Sequence, residues 1–396
     1  MSRVYTATDT QGREVRYRDG KRWAWLLSVV WPLVPFTGLW AHHASGHEIA
    51  LALPLLISYG LMPLLDALIG EDESNPPEAV IGQLDADRYY RWLTWLTVPL
   101  HFVALIGCAW WAATHELSWW AFVLLAYAAG ADSGLGLNTA HELGHKHNRQ
   151  EQWLARMALA VPAYGHFTVE HGRGHHRWVA TPEDCASSRM GESIYRFALR
   201  ELPGGIRRAW ALERERLAAL GLGPCSWSNT ILQSYAITLV LQGGLVAAFG
   251  WTMLPFLAIH NLVAWWQLTS ANYVEHYGLL RRKLPSGAYE APQPHHSWNT
   301  NHLVTNLATF HLQRHSDHHA HPSRRYQCLR HFSDLPQLPS GYFGMFTLAY
   351  IPRLWFRVMD PRLLALPQVQ GDLARVNIDP RARKVLLARS GRDASA

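Results

Sequence analysis

The run His311-Leu-Gln-Arg-His-Ser-Asp-His-His-Ala-His-Pro322 decides how this chain is read. His315, His318 and His319 stand at i, i+3 and i+4, so one helical turn aims all three imidazoles the same way. Working outward, two more clusters have similar spacing. They are His141 and His145 in His-Glu-Leu-Gly-His, and His171, His175 and His176 in His-Gly-Arg-Gly-His-His. Eight imidazoles in three separated places are more than one metal ion can use. Adjacent residues point about 100 degrees apart on a helix. The pairs His175-His176 and His318-His319 are therefore each able to serve two metals at once. The rest of the chain reads as a membrane scaffold that gathers these clusters.

Composition agrees. Of 396 residues, 49% are hydrophobic and only 17% charged, with 19 Trp and 23 His. Low charge and long apolar runs point to a membrane protein. The net charge of +6 does not argue for nucleic acid, because Lys and Arg lie outside the apolar runs. Cys108, Cys185, Cys225 and Cys328 form no Cys-x-x-Cys pair, which excludes a thiolate metal site and a disulfide framework. The polar start of the chain predicts no cleavable signal peptide.

The expected fold is an all-α integral membrane protein. Six segments of about 20 residues qualify as spans, near 24–41, 49–69, 93–114, 117–137, 230–250 and 252–271. Basic residues crowd the 1–23 head, the 138–229 loop and the tail after 280, whereas the turns at 42–48, 115–116 and 251 have none. The positive-inside rule then places both termini and every histidine cluster in the cytoplasm. His42, His43, His47 and His115 fall on the opposite side. The expected organisation is a basic head (1–23), a six-helix domain (24–366) with a cytoplasmic cap (138–229 and 272–366), and a polar Arg-rich tail or linker (367–396). The alternation of basic and apolar residues over 195–221 predicts an amphipathic helix on the cytoplasmic membrane surface.

His141-Glu-Leu-Gly-His145 also matches the His-Glu-x-x-His motif of zinc peptidases. A single zinc site would leave the second and third clusters unexplained. A dinuclear site bound almost wholly by neutral imidazole favours a borderline metal such as iron over magnesium or calcium. A non-enzyme alternative is a membrane metal carrier, but carriers place ligands along the spans, whereas these clusters sit at one face.

The three clusters resemble the histidine boxes of membrane-bound alkane 1-monooxygenases, within the integral-membrane desaturase and hydroxylase superfamily. Asn272-Tyr-Val-Glu-His-Tyr-Gly278 resembles that family's fourth motif, and Asp66-Ala-Leu-Ile-Gly-Glu-Asp-Glu-Ser-Asn-Pro-Pro77 its loop after the second span. The match runs from about residue 60 to 350 in the family's order and spacing. The resemblance implies terminal hydroxylation of medium-chain alkanes in a bacterial inner membrane, using dioxygen at a non-haem centre of two iron ions. It implies electrons from rubredoxin, with rubredoxin reductase upstream. No paired Cys-x-x-Cys occurs here, so the donor is expected as a separate chain or a missing fused domain. Nine ligands are implied: His141, His145, His171, His175, His176, His276, His315, His318 and His319. The nearest rivals are a fatty acid desaturase and a xylene-type hydroxylase.

Metal-bound histidines usually donate their second N–H to a carboxylate or carbonyl. Asp66, Asp72, Asp132, Glu142, Glu170, Glu275 and Asp317 are the candidate acids. Phe167, Trp265 and Leu312 are candidates for lining a substrate channel. His260, His311, His321 and the other histidines outside the nine are read as packed or solvated. The arginines Arg200, Arg207, Arg208, Arg214, Arg216, Arg324, Arg325 and Arg330 suit anionic lipid or docking of an acidic electron carrier.

Overall fold

A computed structural model of the chain describes residues 3–389. It opens with a hairpin that the all-α expectation did not contain: β1 (Val4–Thr8) pairs antiparallel with β2 (Glu14–Arg18). Its turn reverses at Gly12, whose φ of 79° suits glycine. The hairpin is tied down by Tyr5, whose hydroxyl donates to Asp87 Oδ2 at 2.6 Å, and Arg22 reaches the same oxygen at 2.7 Å. The basic head is thus a folded part of the body.

Among the described residues, four helices are long and apolar enough to cross a membrane: α1 (Glu48–Ile69), α2 (Arg88–Thr114), α3 (Trp119–Gly144) and α5 (Thr230–Phe249). Between α3 and α5 in sequence runs α4 (Ile194–Ala219). The expected first span does not form one continuous helix. It divides into Leu26–Val30, Trp31–Leu33 and Pro35–Ser45, because Pro32 and Pro35 interrupt the hydrogen-bond ladder. The expected sixth span lies within α6 (Met253–His276), which carries buried His260, Gln267, Thr269 and Ser270 and so is less apolar than the other four.

Helices α3 and α6 form the central pair of the bundle. At Gly130 a Cβ would stand 2.5 Å from the His260 carbonyl oxygen, and at Gly134 one would stand 2.4 Å from Gln267 Cβ. These two glycines, four apart on one face, let the backbones approach closely. The approach sets the ends of α3 and α6, where His141 and His276 sit, side by side.

At 1.5 Å per residue, the 26 residues of α3 span roughly 39 Å. His42 and His115 gather around Trp111 near its start, with His115 stacked on Trp111 at 3.8 Å. The histidine boxes gather at its other end. Beyond α6, α7 (His315–Ala320) carries the third box and α8 (Pro352–Ala365) packs into a core cluster with Tyr273 and Tyr277. The expected linker does not begin at 367, because Val369, Leu373 and Val376 are buried in that same cluster. Residues 390–396 of the expected tail lie outside the described residues.

Candidate metal centre and substrate cavity

Each box is placed by a different local structure. His141 and His145 close the last turn of α3. His171 to His175 form a single π-helical turn between Phe167–Glu170 and His176–Trp178, an insertion of the kind found at functional sites. The third box is α7, held by the almost fully buried Arg314 just before it. Arg314 Nη2 donates to the carbonyl of Asp72 at 2.7 Å and Nη1 to that of Leu329 at 2.8 Å. The Asp66–Pro77 loop therefore braces the third box through its backbone.

All nine predicted histidines converge, and they divide. The ligand atoms of His141, His145, His171, His176 and His318 lie within 4.8 Å of one another, and those of His175, His276, His315 and His319 do likewise. Both adjacent pairs are split, with His175 and His319 in one group and His176 and His318 in the other. Spacing alone left this partition open.

The residues present fit a pair of metal ions. Nε2 of His141, His145, His175 and His318 is buried with no hydrogen-bond partner. Elsewhere ring nitrogens face each other: His171 and His176 Nε2 are 3.0 Å apart, His276 and His315 3.2 Å, and His315 and His319 3.0 Å. Two nitrogens bound at roughly 2.1 Å and a right angle would stand about 3.0 Å apart. Burial and the neighbouring imidazoles hold His171, His176, His315, His318 and His319 well below the usual histidine range, so they are neutral donors. At His175 burial acts the same way, but the Asp184 carboxylate outweighs it and raises the pKa.

Asp184 was missed by the sequence reading. Its Oδ2 lies 2.8 Å from His175 Nδ1, and Arg208 joins its other oxygen at 2.6 Å. Nothing in Thr181-Pro-Glu-Asp184 marks this acid, since it reaches the box only by folding of the loop. The His296 carbonyl, 3.2 Å from His276 Nδ1, was equally invisible.

Among the acids proposed from sequence, Glu275 is the one in contact with the cage, its Oε2 lying 3.3 Å from His315 Nε2. Burial pushes its carboxyl up to about 8. The others are placed elsewhere. Asp66 accepts from the Thr305 N–H at 3.0 Å, Glu142 pairs with Lys146 at 3.0 Å, and Asp317 pairs with Arg324 at 2.8 Å. Glu170 pairs with Arg208, Asp72 with Lys21 at 2.5 Å, and Asp132 is buried in α3 with neither carboxylate oxygen hydrogen-bonded. His311 accepts no cage role, since its Nδ1 lies 2.9 Å from the Tyr326 carbonyl, and His260 lies 2.7 Å from Ser133 Oγ.

A narrow slot of about 50 Å³ ends on His141, His171 and His315. Phe167 and Leu312 line it together with Leu135, Leu268, Phe343 and Phe346. Trp265 does not line it; its Nε1 donates instead to the Pro162 carbonyl at 2.7 Å.

The basic surface is more self-contained than its composition suggested. Arg200 pairs with Glu192, Arg208 with Glu170 and Asp184, Arg216 with Glu213, Arg324 with Asp317, Arg325 with Glu151 and Arg330 with Glu78. The expected amphipathic helix is α4. Its buried side faces the cap, while Tyr195, Leu199, Ile206 and Trp210 form an exposed apolar stripe.

The family model described as fatty acid desaturase matches residues 117–349. The chain is 54% identical to alkane 1-monooxygenase 1 of Alcanivorax borkumensis over 369 residues, which is 93% of this chain and 91% of that protein. It is 54% identical over 376 residues to an alkane 1-monooxygenase of Ectopseudomonas oleovorans, covering 95% of this chain and 93% of that one. A xylene/toluene monooxygenase hydroxylase component of Pseudomonas putida is 31% identical over 248 residues, 60% of this chain and 63% of that one.

Proposed function

The chain belongs to the alkane 1-monooxygenase family, inside the wider fatty acid desaturase family, and from that premise we propose that it hydroxylates the terminal methyl of medium-chain n-alkanes to 1-alkanols. The reaction takes dioxygen, and electrons from rubredoxin that a rubredoxin reductase keeps reduced. Two iron ions serve it, one held by His141, His145, His171, His176 and His318, the other by His175, His276, His315 and His319. In this reading the chain crosses a bacterial inner membrane six times, with the cage and both termini on the cytoplasmic side.

The observation that carries the proposal is the narrow, mostly apolar slot that ends on the divided cage, with no Lys or Arg among the described residues of its wall. A fatty acid carboxylate buried in that slot would lack a counter-charge, which is costly. An alkane needs none, so the slot favours hydrocarbon over a fatty acid substrate. The zinc-peptidase reading is disfavoured by Glu142, which is engaged by Lys146 at 3.0 Å rather than free to act as a base.

When bound, the irons supply the activation of dioxygen that no side chain provides. The chain's own residues do the rest. Asp184 and the His296 carbonyl orient His175 and His276, fixing which nitrogen faces inward. The slot admits a chain end-on, so the methyl is the carbon presented to the cage, and terminal selectivity follows from position. Its apolar walls keep water from the reacting end.

The test begins with metal content of detergent-extracted protein prepared without added metal, followed by octane turnover with rubredoxin and its reductase. About two irons per chain and 1-octanol are expected, both lost in His315→Ala. One zinc without iron, or unchanged iron and activity in His315→Ala, would overturn the assignment.

A further inference from the structure

The Asn272–Gly278 motif gives the cage His276 and the slot Asn272 and Glu275, but its two tyrosines serve neither. Tyr273 and Tyr277 are fully buried, and with the equally buried Trp355 of α8 they form a closed triangle of rings. Ring centroids are 5.6 Å apart between the tyrosines, 4.9 Å from Tyr273 to Trp355 and 5.2 Å from Tyr277 to Trp355. At its inner corner Tyr277 is covalently next to His276, whose Nε2 faces His315 at 3.2 Å. At the far end of the same ring the Tyr277 hydroxyl donates to Asp360 Oδ1 at 2.8 Å, and Asp360 is only half-buried. The same hydroxyl accepts from the Gly191 N–H at 3.0 Å, and its aim at a carboxylate gives its proton somewhere to go.

An oxidant able to take hydrogen from a methyl group is also able to damage the protein that makes it. Dioxygen needs four electrons and four protons to become two waters. In hydroxylation the external donor gives two of those electrons and the alkane C–H bond gives the other pair. With an empty slot, the second pair has to come from elsewhere. Tyrosine and tryptophan are among the side chains that release an electron most readily, and rings at these separations pass the vacancy on.

We propose that Tyr277, Tyr273 and Trp355 form a protective relay that supplies electrons to the cage when no alkane is bound, with Asp360 taking the phenol proton. This rests on the oxygenase function proposed above. Each event removes one electron from Tyr277 toward the cage and moves its hydroxyl proton to Asp360, leaving a neutral phenoxyl radical. The vacancy is shared with Tyr273 and Trp355 until a soluble thiol near Asp360 returns a hydrogen atom. Two events, with two protons released from Asp360 to solvent and two taken up from solvent at the cage, complete the reduction of the second oxygen atom to water and convert two thiols into one disulfide.

The experiment mixes reduced, iron-loaded protein with dioxygen, with and without octane, and freezes it within milliseconds for electron paramagnetic resonance. An organic radical is expected without octane and should fall several-fold with it. Ring-deuterated tyrosine should narrow the signal, and Tyr277→Phe should remove its tyrosyl component. Trp355→Phe tests the relay if Tyr277→Phe fails to fold, and should alter the decay of the radical. Both variants should hydroxylate octane initially at the parent rate, yet inactivate several-fold faster under dioxygen and donor without alkane. A protein that makes 1-octanol but gives no radical overturns the relay alone, as does a radical unaltered in both variants. A protein that neither holds iron nor makes 1-octanol overturns the oxygenase function, and the relay with it.

Discussion

Asp184 illustrates how one carboxylate organises an imidazole cage. It fixes His175 through Nδ1 at 2.8 Å while Arg208 and Ser187 hold it in turn, the latter at 2.6 Å. Replacing such a partner typically costs 10- to 100-fold in metal affinity or activity. Asp184→Asn should therefore bind iron about 10- to 100-fold more weakly, read by chelator competition, with the four-histidine group losing metal first. Eight of the nine histidines were legible in sequence because helical spacing aims side chains predictably, whereas His276 entered only through the resemblance of Asn272–Gly278 to the family's motif. Asp184 was not, because a carboxylate's partner is set by where its loop comes to rest. Trp265 was misplaced for the same reason: it sits on α6, but the face it occupies points to Pro162 rather than into the slot.

At the level of elements, the close α3–α6 contact at Gly130 and Gly134 brings the two histidine groups side by side. Gly134→Ala would press a Cβ into Gln267, and overpacking of this kind costs about 1–3 kcal/mol. A lower Tm in detergent together with lost iron is expected, since α3 and α6 carry ligands of different groups. The contact of α4 with α6 carries a pH dependence. Burial pushes Glu201 up to about 7, although hydrogen bonds from Thr269 and Asn272 pull the other way. A carboxyl with a higher pKa in the folded chain holds its proton there more tightly. Its contribution to stability is complete below the ordinary 4.5 and disappears as pH rises through 7. The wild-type protein should thus lose roughly 3 kcal/mol of stability across that window. Glu201→Gln should flatten this part of a Tm-against-pH profile. The amphipathic α4 was legible from its periodicity. The π turn of the second box was not, because its residues fit an ordinary helix equally well and packing selects the wider turn.

For the whole molecule, sidedness and slot shape are the properties to probe. Among the four cysteines, Cys225 is the exposed one, and it lies in the loop expected on the cytoplasmic side. A membrane-impermeant maleimide should label it in inverted vesicles and leave it unlabelled in right-side-out cells; the opposite pattern would reverse the topology. Leu312→Trp should shorten the slot and move the preferred alkane to fewer carbons. Unchanged product ratios across a series from hexane to dodecane would remove Leu312 from the substrate path.

By itself the sequence determined the class of chemistry, eight clustered histidines and the membrane setting, since these depend on residue type and short-range spacing, and its motifs pointed to the family and to His276. Only the tertiary structure decided which histidines cluster together, because that depends on how three separate segments and the end of α6 converge. It alone also showed Asp184 beneath His175, the slot walled by Phe167 and Leu312, and the folded hairpin that the basic head becomes. Each of these is a contact between residues far apart in the chain or in a turn that spacing does not describe, and burial and close packing select such contacts.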